Sequence, residues 1–421
     1  MRKTRKGKIL VTSSVAQAFA LEGKKRFTLR CMWVPFSTLM SIEQYFAAQF
    51  NTAPAFVARA PGRLEFIGNH LDYNGGLVLG AAIDRYVTVA VAPRADRRIV
   101  LASESQPVRV ENSLDALAPA KGATSWGNYP LGMLKVMRDA GLEVSHGFNL
   151  AVSNDLPIGA GLSSSAAIEL ATGLALGALY HYSLDRRQLA FLGRAAENNF
   201  VGMPCGILDQ GSSAFGKAGS LVLIDCATND FSTRPMPGGT HFWVFNTLKK
   251  HTLIDSFYAA RNRECMESLA ILRQTAPSLA NLATATEEQV KVAREDLGET
   301  RFKRALHVVR EMARVRDTLA ALDAQDTARV GRNLTASHGS SRELFENSCE
   351  ELDFLVARVV GMPGVFGARL SGGGFGGAAM ALTDGSFSAD AAGQLLKDYR
   401  AKFGNVPTIF SSRTGDGAAL L

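Results

Sequence analysis

Leu156-Pro157-Ile158-Gly159-Ala160-Gly161-Leu162-Ser163-Ser164-Ser165-Ala166-Ala167 is a glycine-rich turn that runs straight into a helical stretch, from about Ser163 to Tyr180. The first turn of such a helix leaves its N–H groups unpaired and aims the positive end of its dipole at the loop. Glycines at Gly159 and Gly161 let backbone approach an anion closely, and Ser163, Ser164 and Ser165 add hydroxyl donors, one of which can ligate a metal ion. The pattern fits a phosphate site, and it also fits an ordinary capped helix after a loop. No Gly-Lys-Ser/Thr follows the glycines, so the segment is not a Walker A loop. The apolar run from Gly161 to Tyr180 carries Glu169 and three serines, which marks a buried core helix rather than a membrane span.

Outward from this loop, three other stretches hold side chains able to do chemistry. Asn198 to Gln210 places Asp209 in an apolar-flanked turn with Cys205 and Gly206, and Glu197 just before it near a helix end. Asp209 could serve as a base, bind a hydroxyl, or cap the next helix. Pro61 to Gly76 is a polar, glycine-punctuated stretch with Arg63, Asn69, His70 and Asp72, placed between the strand patterns Phe56–Ala60 and Ile83–Ala92. Such side chains suit a polyhydroxyl ligand, because a carboxylate accepts two hydroxyl hydrogen bonds and histidine donates or accepts; they also suit a solvated loop. Gly372 to Gly377 lies between two further strand patterns and reads as a tight strand-to-helix turn or a second wall of a phosphate site.

The 421 residues are 47% hydrophobic and 20% charged, which fits a folded globular chain and excludes wholesale disorder. The formal charge of +7 sits at one end: residues 1–31 hold nine Lys/Arg against Glu22 alone, and the remainder holds 37 basic against 38 acidic residues. A nucleic-acid groove therefore has no support in composition. Five scattered cysteines without a C-x-x-C and seven histidines without an H-x-x-x-H pair speak against disulfide frameworks and structural zinc. Helical spacing is predicted over Ser41–Phe50, Asp185–Phe200, Asp255–Gln274, Phe302–Leu322, Asp326–Ser337 and Ser341–Val360, with strands at Phe148–Val152, Leu221–Ile224 and Phe242–Asn246. The expectation is an α+β protein: a basic extension over 1–39 outside the fold, then lobes at 40–220 and 221–421.

These segments occur in an order that resembles the galactokinase branch of the GHMP small-molecule kinases. Pro61-Gly62-Arg63-Leu64-Glu65-Phe66-Ile67-Gly68-Asn69-His70-Leu71-Asp72-Tyr73-Asn74 is similar to that branch's signature, Gly159–Ala166 to the family's phosphate loop, and Ala368–Gly377 to its third motif. Asn246–Glu264, Ser337-His338 and Ser348–Asp353 resemble further galactokinase segments. The resemblance implies a two-lobed GHMP kinase fold with the active site in the cleft, ATP with Mg²⁺ at the phosphate loop, and transfer to the 1-hydroxyl of a sugar. It implies Asp209 as catalytic carboxylate and Arg63 as its charge-stabilising partner. Gly159, Gly161, Ser163, Ser164 and Ser165 fall on the nucleotide phosphates, and Ser165 and Glu197 on the metal. Asn69, His70, Asp72, Gly206 and Tyr258 fall on the sugar.

One departure is visible. The family has Asn where Glu65 stands and Glu where Asn69 stands. Asn69 would then loosen discrimination at C6, admitting a sugar such as galacturonate, or Glu65 and Asn69 hold each other and galactose binds as usual. A sugar- and ATP-binding sensor without turnover is the other functional class, disfavoured because Ser165-Ala166, Asp209 and Arg63 are all intact. A cytoplasmic monomer without nucleic-acid or membrane partners is expected.

Overall fold

The computed structural model describes residues 40–157, 159–249 and 254–421, with side chains omitted at 254–256. The basic stretch 1–39 lies outside the described residues, as do 250–253 within the Asn246–Glu264 segment.

Helix α1 (Ile42–Phe50) opens with Ser41 and Gln44 closing a reciprocal capping box. Strands β1 (Phe56–Ile67), β2 (Leu77–Pro93), β3 (Arg98–Ser103) and β4 (Gln106–Ser113) follow, then α2 (Asn128–Asp139), β5 (Phe148–Asn154) and three helices, α3 (Ser164–Leu179), α4 (Arg186–Ala196) and α5 (Leu208–Phe215). Next come β6 (Ser220–Asp225), β7 (Asp230–Pro235) and β8 (His241–Asn246). The helical remainder is α6 (Ile254–Thr275), α7 (Glu287–Val292), α8 (Arg294–Asp323), α9 (Thr327–Ser340) and α10 (Glu350–Val359). The chain ends with β9 (Val365–Ser371), β10 (Ala378–Thr383), α11 (Gly393–Phe403), β11 (Thr408–Ser412) and β12 (Ala419–Leu420).

The first sheet runs β12-β1-β2-β5-β3-β4, with β6 and β7 added at the far end of β2. Its pairings are antiparallel except β3 with β5. The second sheet, β11-β8-β10-β9, is wholly antiparallel. Because β6 and β7 extend the first sheet and β12 returns to it beside β1, the change of sheet falls between Pro235 and His241, later than the residue-220 boundary expected from sequence. Helix α3 is buried on nearly every side, including Glu169 and Thr172, as its all-round apolar sequence requires.

Three local differences from the sequence reading bear on the site. Pro61–Ile67 is strand, not loop: β1 continues through it with register shifts at Pro61/Arg63 and Glu65/Ile67. A proline sits at such a bulge without breaking the ladder, and the bulges re-aim the side chains around them. The helix expected over Ser341–Val360 is broken. Ser341–Phe345 forms a wide turn, Glu346 is left-handed at φ 55°, and α10 starts only at Glu350. The break brings the Asn347 carbonyl to the Phe375 N–H at 2.6 Å. Finally, Gly372–Gly377 connects two strands, β9 and β10, rather than a strand and a helix.

Candidate active site

Arg63 leaves the bulged part of β1 and reaches Asp209, with Nε at 2.7 Å and Nη2 at 2.6 Å from Oδ1. Its Nη1 donates to the Gly161 carbonyl at 2.7 Å, and its backbone N–H to the Leu162 carbonyl at 3.0 Å. Asp209 stands in the first turn of α5, and its Oδ2 accepts from the Ser163 hydroxyl. The carboxylate is thus held by Arg63 and Ser163; the N-cap position of α5 belongs to Ile207. Ser163 is itself left-handed (φ 52°, ψ 51°) at the start of α3. A non-glycine residue held there is strained, and the contact with Asp209 is what the strain secures.

Gly159 and Gly161 adopt φ of 72° and 63°, which a side chain would oppose. They line a cleft of about 780 Å³ with Ser163, Ser164, Ser165 and Arg63. Its other wall is Ser371–Gly374, Gly376 and Gly377, so the glycine-rich turn is a second wall. Gly374 needs its bare backbone: at φ 84° a Cβ would lie 2.0 Å from the Asn347 carbonyl oxygen. A smaller cavity of about 160 Å³ adjoins Ser164 and Ser165 and is lined by Trp126, Tyr129, Ser103, Gln106 and Asn154. Sequence reading missed it, since its residues come from separate strands, from the turn before α2 and from the start of α2, and form no motif.

Across Arg63 lies the turn after β1. His70 stacks on Phe345 at 4.3 Å and lies 5.2 Å from the Tyr258 ring. Its Nδ1 faces the Tyr73 hydroxyl at 2.9 Å and its Nε2 the Gly373 carbonyl at 3.3 Å. Burial holds its pKa well below the usual histidine range, so the ring is neutral. Asp72 accepts from the Tyr73 N–H at 2.9 Å. Burial first, with Glu65 and Asp209 adding repulsion, pushes its pKa up to about 7. Gly206 abuts it so closely that a Cβ would lie 1.8 Å from Asp72 Oδ2. Arg63, Asp209, His70, Asp72, Gly206 and Tyr258 therefore converge.

Asn69 behaves differently. Its amide nitrogen donates to Glu65 Oε1 at 2.9 Å and to the Gly372 carbonyl at 3.0 Å. Its oxygen accepts from Asn347 at 2.8 Å and Ser341 at 3.1 Å. Both amide hydrogens and both lone pairs are engaged within the protein, and the residue is only 1% exposed. Of the two readings of the Glu65/Asn69 exchange, this geometry displays the direct hydrogen bond between the two side chains. Glu65 in turn pairs with fully buried Arg369 at 3.3 Å.

Glu197 closes the site behind the serines. The Gln210 amide nitrogen donates to its Oε2 at 2.7 Å, and the nearby Ser165 hydroxyl favours its charged form. Burial, then the charge of Asp209, pushes Glu197 up to about 7. Glu169, fully buried nearby, is raised further, again by burial and then by Glu197. Carboxyl groups crowded beside a phosphate loop fit a divalent cation, whose charge would keep Glu197 ionised. Among the described residues no group of three or more His, Cys, Asp or Glu could hold a metal alone. Ser165 and Glu197 would supply two ligands and leave the rest to phosphate oxygens and water, as magnesium prefers.

A two-sheet α+β chain with a glycine-serine loop at a helix start, facing a second glycine-rich wall, has the architecture of a GHMP kinase. Models of the GHMP kinases N terminal and C terminal domains match residues 128–217 and 318–403, and the galactokinase galactose-binding signature matches residues 44–93. The chain is 37% identical over 385 residues to a galactokinase of Staphylococcus carnosus, covering 90% of this chain and 98% of that one. A galactokinase of Roseiflexus sp. is 35% identical, covering 89% and 95%. The crystal structure of Lactococcus lactis galactokinase complexed with galactose superposes with a TM-score of 0.85 at 33% identity, covering 90% and 98%. A Methanococcus jannaschii mevalonate kinase, at TM-score 0.60 and 20% identity over 86% and 98%, shares the fold alone. The chain belongs to the galactokinase family of GHMP kinases, and it is a sugar kinase that transfers phosphate to a hydroxyl group.

Proposed function

We propose that this chain phosphorylates galactose at its 1-hydroxyl with ATP, yielding galactose 1-phosphate and ADP, and that Asp209 and Arg63 are its catalytic residues. The observation that carries this reading is the Arg63–Asp209–Ser163 cluster, which stands where the phosphate loop meets the turn bearing His70 and Asp72. The sugar would lie against Asp72, Gly206 and Tyr258, with its 1-hydroxyl on Asp209. His70, with both ring nitrogens engaged, shapes the pocket rather than offering a free donor.

Phosphoryl transfer asks chiefly for alignment and for neutralisation of charge on the phosphoryl oxygens. Gly159, Gly161 and the hydroxyls of Ser163, Ser164 and Ser165 would hold the phosphates at the start of α3. The hydroxyl oxygen forms its bond to the γ-phosphorus as the bond to the ADP oxygen breaks, and the hydroxyl proton passes to Asp209. Arg63 fixes Asp209 by a two-point contact and places positive charge beside the transferring group. Magnesium, held by Ser165 and Glu197, would supply charge neutralisation on the phosphate oxygens. Trp126 and Tyr129, in the smaller cavity beside Ser164, suit a purine face.

We read Asn69 as a structural anchor, which leaves galactose favoured over a C6-carboxylate sugar. The protein is taken to act as a monomer in the cytoplasm; the described cysteines Cys205, Cys226, Cys265 and Cys349 are free thiols, which suits a reducing compartment. Among the described residues no helix is long and apolar enough to cross a membrane. The test is ADP release with galactose, N-acetylgalactosamine, galacturonate and glucose, with Asp209→Asn as blank. Turnover on galactose that is lost in the blank supports the reading. Preference for galacturonate overturns the substrate, and sugar binding without turnover on any sugar overturns the enzyme.

A further inference from the structure

Gln210 follows Asp209 on α5, is fully buried, and contacts neither cleft. Its amide nitrogen donates to Glu197 Oε2 at 2.7 Å and to Glu169 Oε2 at 3.1 Å. These three residues stand on three different elements. Glu169 is on α3, the helix that begins at Ser164; Glu197 opens the wide turn Glu197–Val201 at the end of α4; Gln210 shares the first turn of α5 with Asp209. One NH₂ group thus uses its two hydrogens to tie the phosphate-loop helix and the Glu197 carboxylate to the helix bearing Asp209.

We propose that Gln210 is a positioning residue that fixes the Glu197 carboxylate for metal binding, in register with Asp209. The inference rests on the reading of Glu197 as a metal ligand. Several features of the local packing favour it. Gly193 has no room for a side chain: a Cβ would lie 2.8 Å from Leu170 Cδ1 and 3.0 Å from Gln210 Cγ, so the glutamine stem is confined. Cys205 Sγ lies 3.8 Å from the same Glu197 Oε2 and is only a weak donor, whereas the Gln210 amide donates at 2.7 Å. The Oε1 atoms of both Glu169 and Gln210 are buried without a hydrogen-bond partner. Such a cost is tolerated where an arrangement serves something other than stability. Rotating the amide would point its oxygen at two carboxyl groups, so the donor orientation is the one the surroundings select.

The test measures Mn²⁺ binding by electron paramagnetic resonance in the presence of ADP, without turnover, and galactose binding by calorimetry. Gln210→Met keeps the stem and removes both donors. It should weaken Mn²⁺ binding about 10- to 100-fold, the usual loss when a group orienting a metal ligand is removed. Galactose affinity should stay within about threefold, because Asp72, Gly206 and Tyr258 are untouched, and the dissociation constant for metal should account for the rise in the Mg²⁺ concentration needed for half-maximal kcat. Glu197→Gln is measured alongside. If it binds Mn²⁺ like the parent, the reading of Glu197 is overturned. If it loses Mn²⁺ while Gln210→Met retains parental affinity, the role of Gln210 is overturned. Should Gln210→Met lose galactose binding as well, the residue holds the fold rather than the metal carboxylate, and the inference is again overturned.

Discussion

Replacing Asn69 with Glu puts a carboxylate where an amide now donates. Asn69 reaches Glu65 at 2.9 and 3.2 Å and the Gly372 carbonyl at 3.0 Å, all within a buried network. Asn69→Glu withdraws two N–H donors from buried acceptors, each worth about 1–3 kcal/mol, and sets two carboxyl groups face to face. The expected loss of stability is about 2–6 kcal/mol by the same bond energies. The facing pair must share a proton, so the folded-state pKa rises above the unfolded value. A raised carboxyl pKa favours the folded state at low pH, so the penalty should be smaller at pH 5 than at pH 8. The exchange Glu65→Asn with Asn69→Glu recreates a donor–acceptor pair, although it weakens the contact to Arg369. Urea denaturation of the two single variants and the double variant gives the coupling. The double variant should be more stable than the sum of the singles by at least about 1 kcal/mol. Additivity within about 0.5 kcal/mol, or a stable Asn69→Glu variant with altered C6 selectivity, would refute the mutual hold.

Arg63→Met should lower kcat by about 10²–10³-fold, as for loss of a preorganised charge donor, with a smaller change in galactose affinity by calorimetry. Asp72, at about 7, should bind galactose better as pH rises from 6 to 8, because the carboxylate accepts two hydroxyl bonds and the acid fewer. Its raised folded-state pKa means the sugar-free protein gains stability from this group below the unfolded pKa and loses it through about pH 7; a melting series without sugar should fall as galactose affinity climbs. Ser163→Gly relieves a left-handed φ of 52°, worth about 1 kcal/mol, but removes the hydroxyl on Asp209, worth about 1.5–3 kcal/mol, so a urea titration should show no net stabilisation while kcat falls.

Much of this arrangement was legible in the residues. Period and caps read α1, α3 and α4 nearly to their ends, because Ser41 and Asp185 make capping boxes that depend only on neighbours. Local sequence favours a capping role for Asp209, since a carboxylate at a helix start caps readily, but the N-cap of α5 is Ile207. Only the fold brings Arg63 across 146 positions to pair with it. The strand through Pro61-Gly62-Arg63 was hidden for a related reason: proline and glycine signal a turn, and the bulge that tolerates them is fixed by pairing with β2. The break before α10 follows from the contact between Asn347 and Phe375, which periodicity cannot register. The engagement of Asn69 needed Ser341, Asn347 and Gly372, three distant partners.

The central claim is transfer to the 1-hydroxyl beside Asp209. Galactose labelled with ¹³C at C1, incubated with ATP and Mg²⁺ and followed by ¹³C and ³¹P NMR, tests it most directly. The account predicts a C1 resonance split by phosphorus with the parent protein and none with Asp209→Asn. A new phosphomonoester ³¹P signal with the C1 resonance left unsplit, or equal product from Asp209→Asn, would contradict it.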